Sequence, residues 1–215
     1  MNRQRLDAYA SKRHQIGLAL VACMLFIAAG AVLADEQVLV NGAAADGYTL
    51  MIGDKKQWDI VVYADPISSA SGYLSVEPDA DNGEIKATWS GKGEAQLFLA
   101  HNTEPQDFSS FVNQDAALVM LMQVHAPPKR KPVALKMGCV YPCSADTNLS
   151  KLLNALPTKQ WVKVSVDLRC FAEHGLNVEK VDSPLTLLTK SKLSLSIADV
   201  RVVPGAGETA TIRCR

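Results

Sequence analysis

From Gln37 onward the chain repeats one pattern: short runs rich in β-branched and aromatic residues, several alternating apolar with polar, most of them closed by glycine, proline, asparagine or aspartate. A side-chain period of two belongs to strands with one face on a core. Such runs at roughly ten-residue spacing describe a sandwich or barrel rather than a helical or βαβ protein. The expected strands are 37–40, 48–52, 58–63, 72–76, 84–89, 95–101, 117–125, 133–137, 161–168, 185–189, 193–202 and 209–213. Trp161 to Leu168 alternates best: Val162, Val164, Val166 and Leu168 share one face, which puts Trp161, Lys163, Ser165 and Asp167 on the other. Leu193, Leu195 and Ile197 oppose Lys192, Ser194 and Ser196, after which the apolar phase shifts to Val200 and Val202, so a bulge is expected near Ala198-Asp199. Ala117 to Val124 is almost wholly apolar and reads as a central strand covered on both sides.

Turn chemistry fits antiparallel pairing. Asn82-Gly83 and Gly91-Lys92-Gly93 bracket one strand, and Pro127-Pro128 with Lys129-Arg130-Lys131-Pro132 separates two more. Helix content is expected to be one or two short pieces. Leu149, Leu152, Leu153 and Leu156 have helical spacing, with Thr147 or Asn148 as cap and Pro157 as stop, and a shorter turn runs from Phe171 to Gly175. The expected fold is therefore an all-β antiparallel sandwich over residues 58–215. Residues 35–57, weakly alternating and carrying Gly42, Gly47 and Gly53, are expected as an edge hairpin or a mobile leader.

The N-terminus has the build of an export signal: basic residues through Arg13, an apolar run from Ile16 to Leu33, and Val32-Leu33-Ala34 as a small-residue exit. Cleavage is expected after Ala34, giving a periplasmic or extracellular protein. An uncleaved membrane anchor over residues 16–33 is the alternative, and a lipoprotein signal at Cys23 fits less well because Met24-Leu25-Phe26-Ile27 follows it. Residues 1–34 carry Arg3, Arg5, Lys12 and Arg13 against Asp7, so the rest of a chain of zero formal charge is slightly acidic. Such a body has no electrostatic reason to seek nucleic acid or anionic lipid.

Loss of the signal removes Cys23 and leaves Cys139, Cys143, Cys170 and Cys214, an even number in a chain bound for an oxidising compartment. Disulfides are the expected state, with three connectivities open. The cysteines lack a second paired cluster and His101, His125 and His174 are scattered, so no metal or other cofactor is expected.

The sequence contains no Gly-x-Ser-x-Gly, phosphate loop, dinucleotide fingerprint or His-Glu-x-x-His. Its many carboxylates do not by themselves place two groups across a glycosidic bond. Asp79 to Glu84 has its glycine too early for a calcium loop and suits a hairpin turn, and Lys129-Arg130-Lys131 suits a solvated tip. Aromatic side chains carry the remaining chemistry, because the C–H face of a sugar ring stacks on a flat π surface while amides and carboxylates bond its hydroxyls. Among Trp58, Trp89, Trp161, Tyr73 and Tyr141, the candidate ligand contacts are Tyr141, Trp161 and Trp89, with Asp167 beside them. Burial beneath the 149–156 helix is the preferred placement for Trp161. Trp89 suits core closure and ligand contact equally, and Tyr141 beside Pro142 is the best exposed platform.

Several blocks also carry a family likeness: Ala87-Thr88-Trp89-Ser90-Gly91-Lys92-Gly93-Glu94-Ala95, Ala117-Leu118-Val119, Val133 to Ser144, Leu152-Leu153 with Leu156-Pro157 and Trp161, Leu168 to Phe171 with Gly175, Val181 to Leu185, and Leu193 to Val202. In order and spacing they resemble the C-terminal galactose-binding-like domain of bacterial exo-1,3/1,4-β-glucanases of the ExoP type, in glycoside hydrolase family 3. The resemblance implies a jelly-roll-like galactose-binding-like sandwich. It also implies a non-enzymatic role, since the catalytic residues of those glucanases lie in preceding domains. A polysaccharide or oligosaccharide ligand and a separately encoded glycosidase are the implied partners. A structural or protein-binding envelope sandwich without sugar affinity is the alternative.

Overall fold

The computed structural model describes residues 34–214, so the export-signal reading falls outside the described residues. The strands are β1 (Glu36–Val40), β2 (Ala43–Ala44), β3 (Tyr48–Asp54), β4 (Ile60–Val61), β5 (Ile67–Ser68), β6 (Leu74–Asp79), β7 (Glu84–Ser90), β8 (Ala95–His101), β9 (Ala117–Ala126), β10 (Val133–Cys139), β11 (Ser144–Asn148), β12 (Trp161–Asp167), β13 (Val181–Thr189) and β14 (Lys192–Val203). Between them lie three short helices, α1 (Ser109–Asn113), α2 (Ser150–Ala155) and α3 (Arg169–Glu173), and a 3-10 turn at Val178–Lys180.

Pairing is antiparallel throughout the ladders and makes two sheets. An eight-stranded sheet runs β12-β9-β14-β7-β6-β5, with β1 also on β14 and β2 on β1. A six-stranded sheet runs β11-β10-β13-β8-β3-β4. Their inner faces supply one core: Leu74, Val76, Ile85, Leu118, Met120, Val164 and Leu195 from the first sheet meet Leu50, Ile52, Leu97, Leu99, Leu135 and Leu187 from the second. Period-two patterning thus produces a double layer in which the long strands bury one side each. Both the Trp161 to Leu168 alternation and the bulge in β14 are present, the latter as a register shift between Ile197 and Asp199.

Several details differ from the sequence expectation. Residues 35–57 are built into both sheets, β1 against β14 and β3 between β8 and β4, because Leu39, Leu50 and Ile52 point into the core. The 58–63 run narrows to β4, and 209–213 is a single bridge from Ile212 to Val166. The apolar run of β9 is covered on only one face: Leu118, Met120, Met122 and Val124 are buried, whereas Val119, Leu121 and Gln123 are half-buried on the other. The hairpin between β6 and β7 turns through Gly83 at positive φ, and the Asp79 carboxylate accepts the Asn82 backbone N–H.

Cysteine pairing is settled as Cys139–Cys143 and Cys170–Cys214. Neither bridge clamps α2 between strands, as a longer-range pairing would. The first closes the β10–β11 turn on itself, and the second ties the C-terminal segment to α3.

Candidate functional site

The outer face of the six-stranded sheet carries a cleft of about 640 Å³ that crosses its strands. The ladder sets its floor: Phe98 on β8 pairs with Thr186 on β13, which pairs with Lys136 on β10. Gln96, Asp182 and Ser183 add polar groups, while Trp58 closes one end and the Tyr141-Pro142 turn the other. With neighbouring strands about 4.8 Å apart, a groove crossing several of them suits an extended ligand rather than a single small ring.

The first wall depends on a loop held by many small contacts. Gly53 lets the chain double back, since a Cβ there would lie 2.0 Å from the Trp58 carbonyl oxygen. The Asp54 carboxylate accepts backbone N–H groups from Lys56, Gln57 and Ser71, and the Ser71 hydroxyl as well. Burial pushes that carboxyl up, but hydrogen bonds from the Ser69 hydroxyl and from the N–H groups of Ser71, Lys56 and Gln57 outweigh it and bring it to about 2. Trp58 then lies over Phe98 with ring centroids 6.1 Å apart and planes 20° from parallel, and remains 61% exposed. That cover explains why Phe98, on the outward side of β8, is nearly buried.

The second wall is the turn between β10 and β11. The ladder ends at Gly138 and Ser144, and the disulfide closes the residues between. Tyr141 projects from it 93% exposed. On the floor, Lys136 belongs to no ion pair among the described residues. Burial raises the Asp182 carboxyl above its ordinary value, and backbone N–H groups of Asp182 and Ser183 only partly offset it. The cleft therefore offers two aromatic surfaces, a cation, an amide, hydroxyls and a carboxyl, a mixture suited to stacking on and bonding polyhydroxylated rings.

Of the four residues singled out in sequence, only Tyr141 lines this cleft. Trp89 is fully buried in the core, its indole N–H donating to the Ala95 carbonyl at 2.9 Å. Asp167, at the end of β12, is also fully buried. The Arg169 backbone N–H and guanidinium both donate to it, and Gly207 lies close over its carboxylate. Trp161 is 41% exposed at the edge strand of the opposite sheet rather than covered by α2, whose Leu153 turns into the core instead. Trp58, one of the aromatic candidates, and Phe98, which sequence reasoning passed over, form the better-built wall. A signal for Phe98 existed: Leu97-Phe98-Leu99 breaks the alternation of β8 with an apolar residue on its outward side.

The fold is shared with solved structures. The exo-1,3/1,4-β-glucanase ExoP of a Pseudoalteromonas species superposes with TM-score 0.63 at 19% identity, over 80% of this chain and 21% of that one. The extra C-terminal domain of that enzyme alone gives 0.62 at 19% identity, over 79% of this chain and 92% of the domain. A family 30 carbohydrate-binding module of a cellulosomal cellulase of Clostridium thermocellum gives 0.56 at 16% identity, over 80% and 98%. No curated protein is similar to the chain in sequence. The family model described as galactose-binding domain-like matches residues 47–202, most of the two sheets just built, and the chain belongs to that family.

Proposed function

We propose that this protein is a non-catalytic, exported carbohydrate-binding module that takes a β-glucan-like or envelope polysaccharide across the outer face of its six-stranded sheet. The observation that carries the reading is the cleft itself, with Trp58 over Phe98 at one end, Tyr141 at the other and polar groups between. Modules named as carbohydrate-binding share the fold, which is consistent with the reading without fixing a ligand. Two disulfides suit an oxidising compartment, and no helix among the described residues is long and apolar enough to cross a membrane. The protein acts beside a separately encoded glycosidase or on the polysaccharide alone, holding chain segments without cutting them.

Affinity electrophoresis through gels containing mixed-linkage β-glucan, laminarin or xylan, followed by calorimetry with cello- and laminari-oligosaccharides, tests this. Retardation in at least one gel, reduced by Trp58→Ala, is expected. Unretarded migration in all of them overturns the reading in favour of a structural or protein-binding sandwich, and release of reducing sugar would overturn its non-catalytic part.

A further inference from the structure

The two walls of the cleft are held by different means. Trp58 is fixed by stacking on Phe98, by the hydrogen bonds of Asp54 and by Gln96, whose side-chain amide donates to the Trp58 carbonyl. Tyr141 has no such support. Its ring is almost fully exposed and takes part in no hydrogen bond or ring stack among the described residues, so its position follows entirely from the backbone of residues 139–143. That backbone is restrained by the Cys139–Cys143 bridge, by the backbone N–H groups of Cys139 and Cys143, which donate to the Cys143 and Val140 carbonyls, and at its β10 end by the Val140 N–H, which donates to the Lys180 carbonyl at 3.3 Å.

Resting on the glycan-binding reading, we propose that the Cys139–Cys143 disulfide is the positioning element of the Tyr141 wall, and that a thiol reductant lowers glycan affinity by releasing this wall while the sandwich stays folded. Both cysteines line the cleft. Cys139 is buried and Cys143 partly exposed, so an incoming thiolate reaches Cys143 Sγ first. The S–S bond breaks, Cys143 is carried as a mixed disulfide, and Cys139 leaves as a thiolate. The Asn177 backbone N–H lies 3.3 Å from Cys139 Sγ and 3.5 Å from Cys143 Sγ, in place to bond the Cys139 thiolate as it leaves. The second thiol of a small dithiol then displaces Cys143. Two electrons and two protons have passed to the cysteines, and the reagent ends as its own cyclic disulfide.

The fold does not require this bridge. It spans only four positions of sequence, so closing that loop constrains the unfolded chain far less than the Cys170–Cys214 bridge, which spans 44. The core under β10 is filled by Leu135 and Met137, both buried, beside Cys139 itself. What the bridge removes is motion of the Tyr141 turn, motion that would otherwise have to be frozen out each time a ligand bound.

The test uses the full-length oxidised chain, with cellohexaose and mixed-linkage β-glucan as probes. Cys139→Ser/Cys143→Ser should weaken binding by about fivefold to tenfold, and Tyr141→Ala by the same factor. Adding Tyr141→Ala to the double cysteine variant should change affinity by less than about twofold, whereas adding Trp58→Ala should multiply the loss. Wild-type affinity in the double cysteine variant overturns the proposal, as does loss of its cooperative unfolding transition, which would make the bridge a fold element. If the wild-type protein binds no glycan, the functional reading fails while the positioning claim is still decided by NMR relaxation of the Tyr141 amide. Rigid when oxidised and mobile in the cysteine variant supports it, and equal rigidity in both overturns it.

Discussion

On the outer face of the eight-stranded sheet, Arg201 donates to Asp199 at 2.7 Å and lies 3.6 Å from Asp35, Lys86 pairs with Glu77, and the Ser196 hydroxyl sits between His125 and Glu84. On the outer face of the six-stranded sheet, Lys136 and Asp182 line the cleft and neither belongs to an ion pair among the described residues. Each face also carries an exposed tryptophan, Trp161 on the first and Trp58 on the second. The difference lies in what the polar groups have left to give. A ligand hydroxyl gains little from a group already satisfied, because exchanging one hydrogen bond for another is nearly neutral. In the cleft Ser183, Thr186 and Gln96 already bond within the protein, and the Lys136 ammonium beneath the aromatic walls is the group with capacity that binding there recovers.

The third tryptophan marks the boundary of this contrast, since Trp89 belongs to neither outer face. Trp89→Ala should produce the largest effect of any tryptophan substitution, a stability loss of about 3–5 kcal/mol in denaturant titration from the cavity left in the core. Glycan affinity of the fraction that remains folded should stay at the wild-type value. An affinity loss larger than the stability loss explains would place Trp89 in the site after all.

Trp58→Ala should do the reverse, costing roughly thirtyfold in affinity, about 2 kcal/mol, with a smaller change in unfolding midpoint. Calorimetry and thermal melts on the same sample separate the two quantities. A wild-type affinity would move the site away from the six-stranded sheet.

How much of this was readable in advance depends on whether a residue's surroundings are local. The strands were legible because alternation is carried by neighbours in sequence, and the β14 bulge showed itself as a phase slip between Ile197 and Val200. Tyr141 was legible because a Cys-x-Tyr-Pro-Cys turn announces an exposed loop. Trp161 and Asp167 were misplaced because their exposure is set by chain outside β12. Asp167 falls in phase with Trp161, yet Arg169 and the loop at Gly207 close over it, and no spacing within β12 reports that. The cleft was least legible of all. Its floor joins Phe98, Thr186 and Lys136 from three strands, brought together only by the ladder register.

A smaller effect separates the two cleft walls. Asp54→Asn should lower stability by about 1 kcal/mol, the ordinary worth of the hydrogen bonds it weakens, and loosen Trp58 without touching Tyr141. Its pH dependence has a definite sign. The folded carboxyl, at about 2 against an ordinary 3.8, holds fewer protons than the unfolded one between those values. Its stabilisation is therefore complete above that window and is lost as pH falls through it. Acid titration of unfolding should show a shallower decline from about pH 4 to 2 in the variant than in wild type, and parallel curves would remove Asp54 from the loop's support.

The smallest expected effect is the most discriminating. Trp161→Ala should leave glycan affinity within about twofold of wild type, because the ring stands on edge strand β12 of the other sheet, outside the cleft. Its cross-strand partner Gln123 and the neighbouring Ser196 lie on the outer face, but Ser196 is buried and already bonded to both His125 and Glu84. A ligand would have to break those bonds to use them. Calorimetry on Trp161→Ala alone and combined with Trp58→Ala decides the matter. A loss for Trp161→Ala equal to that for Trp58→Ala would mean that exposed aromatic area, and not the unmet polar capacity around it, is what selects the binding face.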